Sequence, residues 1–275
     1  MTAAEIRFAL NRTVAPNLPL AAFLELAKRA GAEAVEIRND IAGREFADGT
    51  PAREVRQRIA DAGLKVASIN ALQRFNDWTA EREREATALI RYAAELGAPG
   101  IVMCPVIDEN HGWSDAELET KLRQSLKALK PIYADHGVIG YVEPLGMAGS
   151  TLKQQARAVA AMGDVDGFGP FELCYDTFQY YRCSDSKLFP EHVGLVHVSG
   201  ITRTDLPREK LTEPDRGFVD AEDICDNVGQ VKQVRGAGYR GYVSMEPFDP
   251  RIQETADVSG PLKASLDYIR ASLAA

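Results

Sequence analysis

A chain of 275 residues, 45 % apolar and 26 % charged, holds enough material for a sizeable core. That balance excludes a disordered chain, and no apolar run approaches the ~20 residues of a membrane span. Forty acidic against 32 basic residues give a net charge of −8, which argues against a nucleic-acid backbone as the main partner.

The opening MTAAEIRFAL has no basic stretch followed by an apolar one. No secretory signal is therefore expected, and the protein is read as cytoplasmic. Cys104, Cys174, Cys183 and Cys225 form no CxxC pair and are read as reduced, mostly buried thiols.

In chain order, the strand Glu5–Asn11 precedes a helical pattern over Leu20–Ala30 that closes at Gly31. The strand Ala34–Asn39 precedes a helix over Pro51–Ala62, with Thr50 as its expected N-cap. Lys65–Leu72 is followed by a helix over Thr79–Leu96, ending at Gly97. Gly100–Val106 is followed by a helix that Ser114 caps and that runs to about Asp135, through Pro131. Val138–Leu145 and a helix over Thr151–Met162 come next. Phe171–Thr177 is followed by a weak helical pattern around Ser184–Pro190. Val193–Ser199 precedes a long loop, Ile201–Asp220, and a helix over Ala221–Arg235. Gly241–Phe248 and a helix over Pro261–Leu273 complete the pattern.

These are eight strand–helix units, spaced about 34 residues apart. Parallel strands need crossover connections, and strict alternation fits an open doubly wound sheet or a closed barrel. Eight units with no remainder favour the barrel, and no GxGxxG turn follows the first strand. The expected fold is α/β, a (β/α)8 TIM barrel, as a single domain over residues 1–275.

Active sites of such barrels sit where the strands end. Asn11, Glu36 with Arg38, Asn70, Glu143, Asp176, His197 and Glu246 occupy those ends, with Cys104 and Pro105 after the fourth strand. Taken singly, each has a plain structural role open to it. Glu143 is a partner for an arginine such as Arg38, Asp176 a helix cap, and His197 a core histidine. Together, Glu143, Asp176, His197 and Glu246 close four consecutive strands and converge on one side of the mouth. Three carboxylates cannot all ionise in an apolar barrel without a cation among them. One divalent ion, Mn²⁺, Mg²⁺, Co²⁺ or Zn²⁺, fits that oxygen-rich set. His111 and His136 are expected in surface or capping roles, and His192 lies at the opposite end of the barrel.

The chain resembles the xylose-isomerase-like TIM-barrel family of sugar isomerases and epimerases. The segments that carry the likeness are Glu36-Ile-Arg38, Asn70-Ala-Leu, Phe75-Asn76, Val142-Glu-Pro144, Asp176-Thr-Phe, Val196-His197, Asp215-Arg216, Ser244-Met-Glu246 and Phe248-Asp-Pro250. They span almost the whole chain, and within the family they are most like those of inosose isomerases. The resemblance implies that Glu143, Asp176, His197 and Glu246 bind one metal ion and that Arg38, Asn70 and Arg216 face the substrate. Two local differences stand out. Gln179 takes the place of the histidine in the Asp-x-x-His of many relatives, and no acidic residue follows His197 closely.

The expected activity is metal-dependent isomerisation or epimerisation of a sugar or ketocyclitol by α-proton transfer. Glu143 and Glu246 are the expected acid and base, and the partner is a small polyhydroxy ketone or sugar. A dehydratase of a ketocyclitol or dehydroshikimate-type substrate and a non-catalytic sugar-binding barrel are the alternatives. The multi-histidine zinc cluster of a repair endonuclease does not fit a chain with one well-placed histidine. Neither a nucleic acid nor a membrane is expected as a partner, and the oligomeric state is left open, a homo-oligomer included.

Overall fold

The structure is a computed structural model that describes residues 6–184 and 187–274. Eight parallel strands close into a barrel in chain order. They are β1 (Arg7–Asn11), β2 (Ala34–Arg38), β3 (Lys65–Leu72), β4 (Gly100–Met103), β5 (Ile139–Val142), β6 (Phe171–Asp176), β7 (Val193–Val198) and β8 (Tyr242–Met245). β1 closes the ring against β8, with Arg7 opposite Tyr242 and Leu10 opposite Met245.

The helices are α1 (Leu20–Ala30), α2 (Ala52–Asp61), α3 (Ala80–Leu96), α4 (Asp115–His136), α5 (Gln155–Asp164), α6 (Thr177–Cys183), α7 (Asn227–Gly236), α8 (Pro250–Gln253) and α9 (Ser259–Ala274). Among the described residues, no helix is long and apolar enough to cross a membrane.

Alternation along each strand separates two cores. Outward residues such as Val35, Ile37, Val196 and Val198 pack with the apolar stripes of the helices in one large cluster. Inward, Ala9, Ala34 and Ala67 form a small-residue layer against Tyr242. Val102, Tyr141, Cys174 and Leu195 fill the middle.

Local chemistry sets the helix ends. Gly31, Gly97 and Gly137 close α1, α3 and α4 in the left-handed conformation. Ser114 and Glu117 form the capping box that starts α4. Four ends differ from the sequence expectation. At α2 the cap position is Pro51, with no side-chain bond, while the Thr50 carbonyl accepts from Tyr92 Oη. α5 begins at Gln155, because Thr151 and Leu152 are drawn into bonds with Val106 and Leu145. α7 begins at Asn227, capped by Asp226. The sixth helix lies directly after β6 rather than around Ser184–Pro190, because Asp176 caps it at once and Ser184 ends it. Of that expected stretch, Asp185 and Ser186 fall outside the described residues, as does Glu5 of the expected first strand.

Candidate metal centre and active site

The strand ends deliver Glu143, Asp176, His197 and Glu246 to one point. Glu143 and Glu246 directly follow β5 and β8, Asp176 ends β6, His197 is the last residue but one of β7, and each is at most 4 % exposed. One ligand atom from each lies within 4.8 Å of all the others. His197 Nδ1 is 3.1 Å from Glu143 Oε1, 3.1 Å from Glu246 Oε2 and 4.0 Å from Asp176 Oδ2. A second grouping, Glu143, Cys174 and His197, shares two of these residues.

The carboxylates stand in unlike surroundings. Glu246 accepts from Asn11 at 3.1 Å, Arg38 at 3.3 Å and Arg216 at 3.0 Å. Burial opposes its ionisation, yet His197, Arg216 and Arg38 hold its carboxyl down at about 2. Glu143 has thiols instead, Cys104 at 3.4 Å and Cys174 at 3.6 Å. The ion pair considered for Glu143 and Arg38 thus forms between Glu246 and Arg38. Asp176 does two things at once: Oδ1 caps α6 through Gln179 N at 2.9 Å, and Oδ2 accepts from Arg216 at 2.6 Å. Burial, with the neighbouring Glu143 and Glu246 charges, pushes the Asp176 carboxyl up to about 7 against the pull of Arg216. A carboxyl raised that far marks a cluster short of positive charge. Three carboxylates and one imidazole are a donor set that a divalent ion would complete.

Arg38 and Arg216 are held by more than the site. Arg38 grips Asp40 with two bonds, at 2.8 and 2.6 Å, and reaches Glu246 with a third. Arg216 donates to Ser199, Glu213, Asp176 and Glu246. Both guanidinium groups also lie over the Phe248 ring. Asn70 turns its amide to Glu36 Oε2 at 2.8 Å. The Gln179 side chain donates to Glu213 at 2.9 Å, and Glu213 in turn accepts from Arg216.

The loop after β7 brings Arg216 into place. Gly200 and Gly217 pair in an antiparallel bridge. A Cβ on Gly200 would overlap the Phe218 carbonyl, so the close approach needs glycine. Arg182 ties the same loop down through the carbonyls of Leu211 (2.6 Å), Glu209 (2.9 Å) and Gly146. His136 caps its own helix end through Ile132 O, and His111 accepts from Trp113 N in its loop.

Sequence reasoning placed Glu36 among the polar residues at the strand ends but assigned it no ligand, catalytic or substrate role. Its carboxylate is fully buried and meets His197 Nε2 at 3.2 Å. The available signal was an acid at an inward position of the short strand AVEIR, flanked by Val35 and Ile37. Cys104 and Cys174 were likewise read only as buried thiols.

Residues 24–272 match the family model described as xylose isomerase-like TIM barrel. The chain belongs to the xylose isomerase-like TIM barrel family. Solved structures agree. A xylose isomerase domain containing protein from Salmonella typhimurium LT2 is 29 % identical, with a TM-score of 0.88 and 99 % of each chain covered. The IolI protein with a binding zinc atom is 19 % identical, with a TM-score of 0.86 and 98 % of each chain covered. An L-ribulose 3-epimerase is 19 % identical, with a TM-score of 0.74, 98 % of this chain and 94 % of that one covered. A sequence comparison with curated proteins gives no match.

Proposed function

We propose that the chain is a divalent-metal-dependent isomerase or epimerase of a sugar-like polyhydroxy ketone, ketocyclitols such as inososes included. It works by moving a proton on the carbon next to the carbonyl. The observation that carries this reading is the convergence of Glu143, Asp176, His197 and Glu246 at the ends of β5 to β8. One Mn²⁺, Mg²⁺, Co²⁺ or Zn²⁺ ion held by these four would polarise the substrate carbonyl and offset charge developing beside it.

Glu143 and Glu246 come from non-adjacent strands and take and return the proton. Among the described residues Glu143 meets no guanidinium, so its oxygens are the less committed pair. Glu246 is fixed by Asn11, Arg38 and Arg216 and holds its place as the substrate turns over. Each guanidinium has five N–H donors. Among the described residues, Arg216 spends four and Arg38 three, and the remainder are free for substrate oxygens. Asn70 offers the half of its amide that Glu36 leaves over. The likeness to the IolI protein, whose structure holds a zinc atom, and to an L-ribulose 3-epimerase supports the same reading.

The test is metal content of the purified protein, followed by proton exchange from D₂O into ketoses and inososes, read by NMR. About one ion per chain and deuterium at the carbon beside the carbonyl are expected. A vinyl proton in the product would indicate a dehydratase instead. Sugar binding without exchange would indicate a binding barrel.

A further inference from the structure

The zinc, manganese or other ion of the proposed site needs a lone pair on His197, and the protein decides which ring nitrogen supplies it. We infer that Glu36 is the positioning residue that makes this choice. Its carboxylate takes the Nε2–H of His197 and turns the Nδ1 lone pair toward Glu143, Asp176 and Glu246. The inference rests on the metal reading above and names a residue outside the ligand set.

Glu36 lies in the middle of β2 and points into the barrel, 0 % exposed. A buried carboxylate persists only among donors, and four strands supply them. Ser68 Oγ and Asn70 Nδ2 of β3 donate to Oε2, the latter at 2.8 Å. Ser244 Oγ of β8 and Asn11 Nδ2 of β1 donate to Oε1, the latter at 3.4 Å. His197 of β7 is the fifth, its Nε2 3.2 Å from Oε2. The four other donors are at most 2 % exposed and sit on strands, so the acceptor cannot swing away from the ring.

A neutral imidazole has one N–H and one lone pair. With an ion among the carboxylates at Nδ1 the ring would be neutral, and the fixed carboxylate at Nε2 would keep the N–H there and leave the lone pair on Nδ1. That nitrogen is the one 3.1 Å from both Glu143 Oε1 and Glu246 Oε2. A carboxylate behind a ligating histidine also raises the basicity of the ligand and locks its ring.

The experiment uses Zn²⁺ alone as probe, with the full chain stripped of metal. Calorimetric titration gives affinity, and ¹H–¹⁵N spectra of the four histidine rings in the zinc-loaded protein give the tautomers. The wild type is expected to bind zinc with His197 protonated at Nε2. Folded Glu36→Gln is expected to bind it about 10–100-fold more weakly. Glu36→Asp keeps the charge but withdraws it by one methylene, and is expected between the two.

A wild-type spectrum with the proton on Nδ1 overturns the inference without any variant, which covers the case of a Gln variant that fails to fold. So does a Glu36→Gln protein that melts earlier yet binds zinc within about two-fold of wild type, since that is a packing role only. Wild-type protein that binds no zinc defeats the metal reading itself. That outcome is distinct, because no affinity then exists for Glu36 to support.

Discussion

The two ends of the barrel are made of opposite materials. In the half of the barrel toward which the strands run, the inward side chains are Asn11, Glu36, Glu143, Asp176, His197 and Glu246, all buried and joined by bonds that cross from strand to strand. Where the strands begin, the inward positions are Ala9, Ala34, Gly100 and Gly194, with Tyr141 and Tyr242 over them. A Cβ on Gly100 or on Gly194 would overlap the Tyr141 ring. The floor is thus a shape fit of rings on small residues, and the mouth is a charge cluster. Burying charge costs stability unless each group is paired, whereas a packed floor contributes stability directly. Substitutions at the mouth should therefore show first in binding and turnover, and those at the floor first in folding.

The largest effect expected is on turnover. Glu143→Gln and Glu246→Gln should each lower the rate of α-proton exchange by about 10²–10⁴-fold, the usual contribution of a positioned acid or base. Their stabilities should part company. Glu246→Gln leaves Arg38 and Arg216 facing a neutral amide, while Glu143→Gln removes one repelling charge from beside Asp176. Denaturant melts in the presence of a chelator should rank Glu143→Gln above Glu246→Gln. Near-normal exchange in either variant removes that residue from the chemistry.

Next comes the ion itself. A divalent ion at about 100 times its Kd should raise the unfolding free energy by about 2.7 kcal/mol, because it binds only the folded chain. That increment should vanish in Asp176→Asn. If it persists there, the ion sits elsewhere.

The contrast between the ends also explains what the sequence disclosed. β-branched runs punctuated by glycines such as Gly31 and Gly97 announce eight units, because strand and helix periods and left-handed caps are local properties. Polar residues closing apolar strands announce the mouth. Pairing across the barrel is not local. Glu36 and His197 are 161 positions apart, and nothing in AVEIR says that five donors will surround its acid. Asp176 shows the limit in one side chain. Cap and site residue were competing readings, yet its two oxygens divide the roles between Gln179 and Arg216. The sixth helix was misplaced for the same reason, since its start is set by that cap rather than by an apolar stripe.

At the floor, Gly194→Ala sharpens the comparison. The added methyl would meet Tyr141 and Glu172 Oε2. Overpacking of this kind costs about 1–3 kcal/mol. The denaturant midpoint should fall while zinc affinity and exchange rate per folded molecule stay at wild-type values. A change in zinc affinity would mean that the two ends are mechanically coupled.

The smallest effect expected comes from an acid that, among the described residues, breaks the pattern. Glu172 points inward at the floor end of β6, two residues below Cys174, and burial raises its carboxyl above the ordinary carboxylate range. The sign follows from linkage. An acid raised in the folded state carries no penalty while protonated in both states, and loses stability as pH climbs from its unfolded value through its folded one. Glu172→Gln should therefore match the wild type in acid and become the more stable protein toward neutral pH, by a small margin because the side chain is only half-buried. Denaturant melts at a series of pH values measure this directly. A variant less stable than wild type at neutral pH would show that the carboxylate is held there by a partner, and the floor would then not be the uncharged end of the barrel.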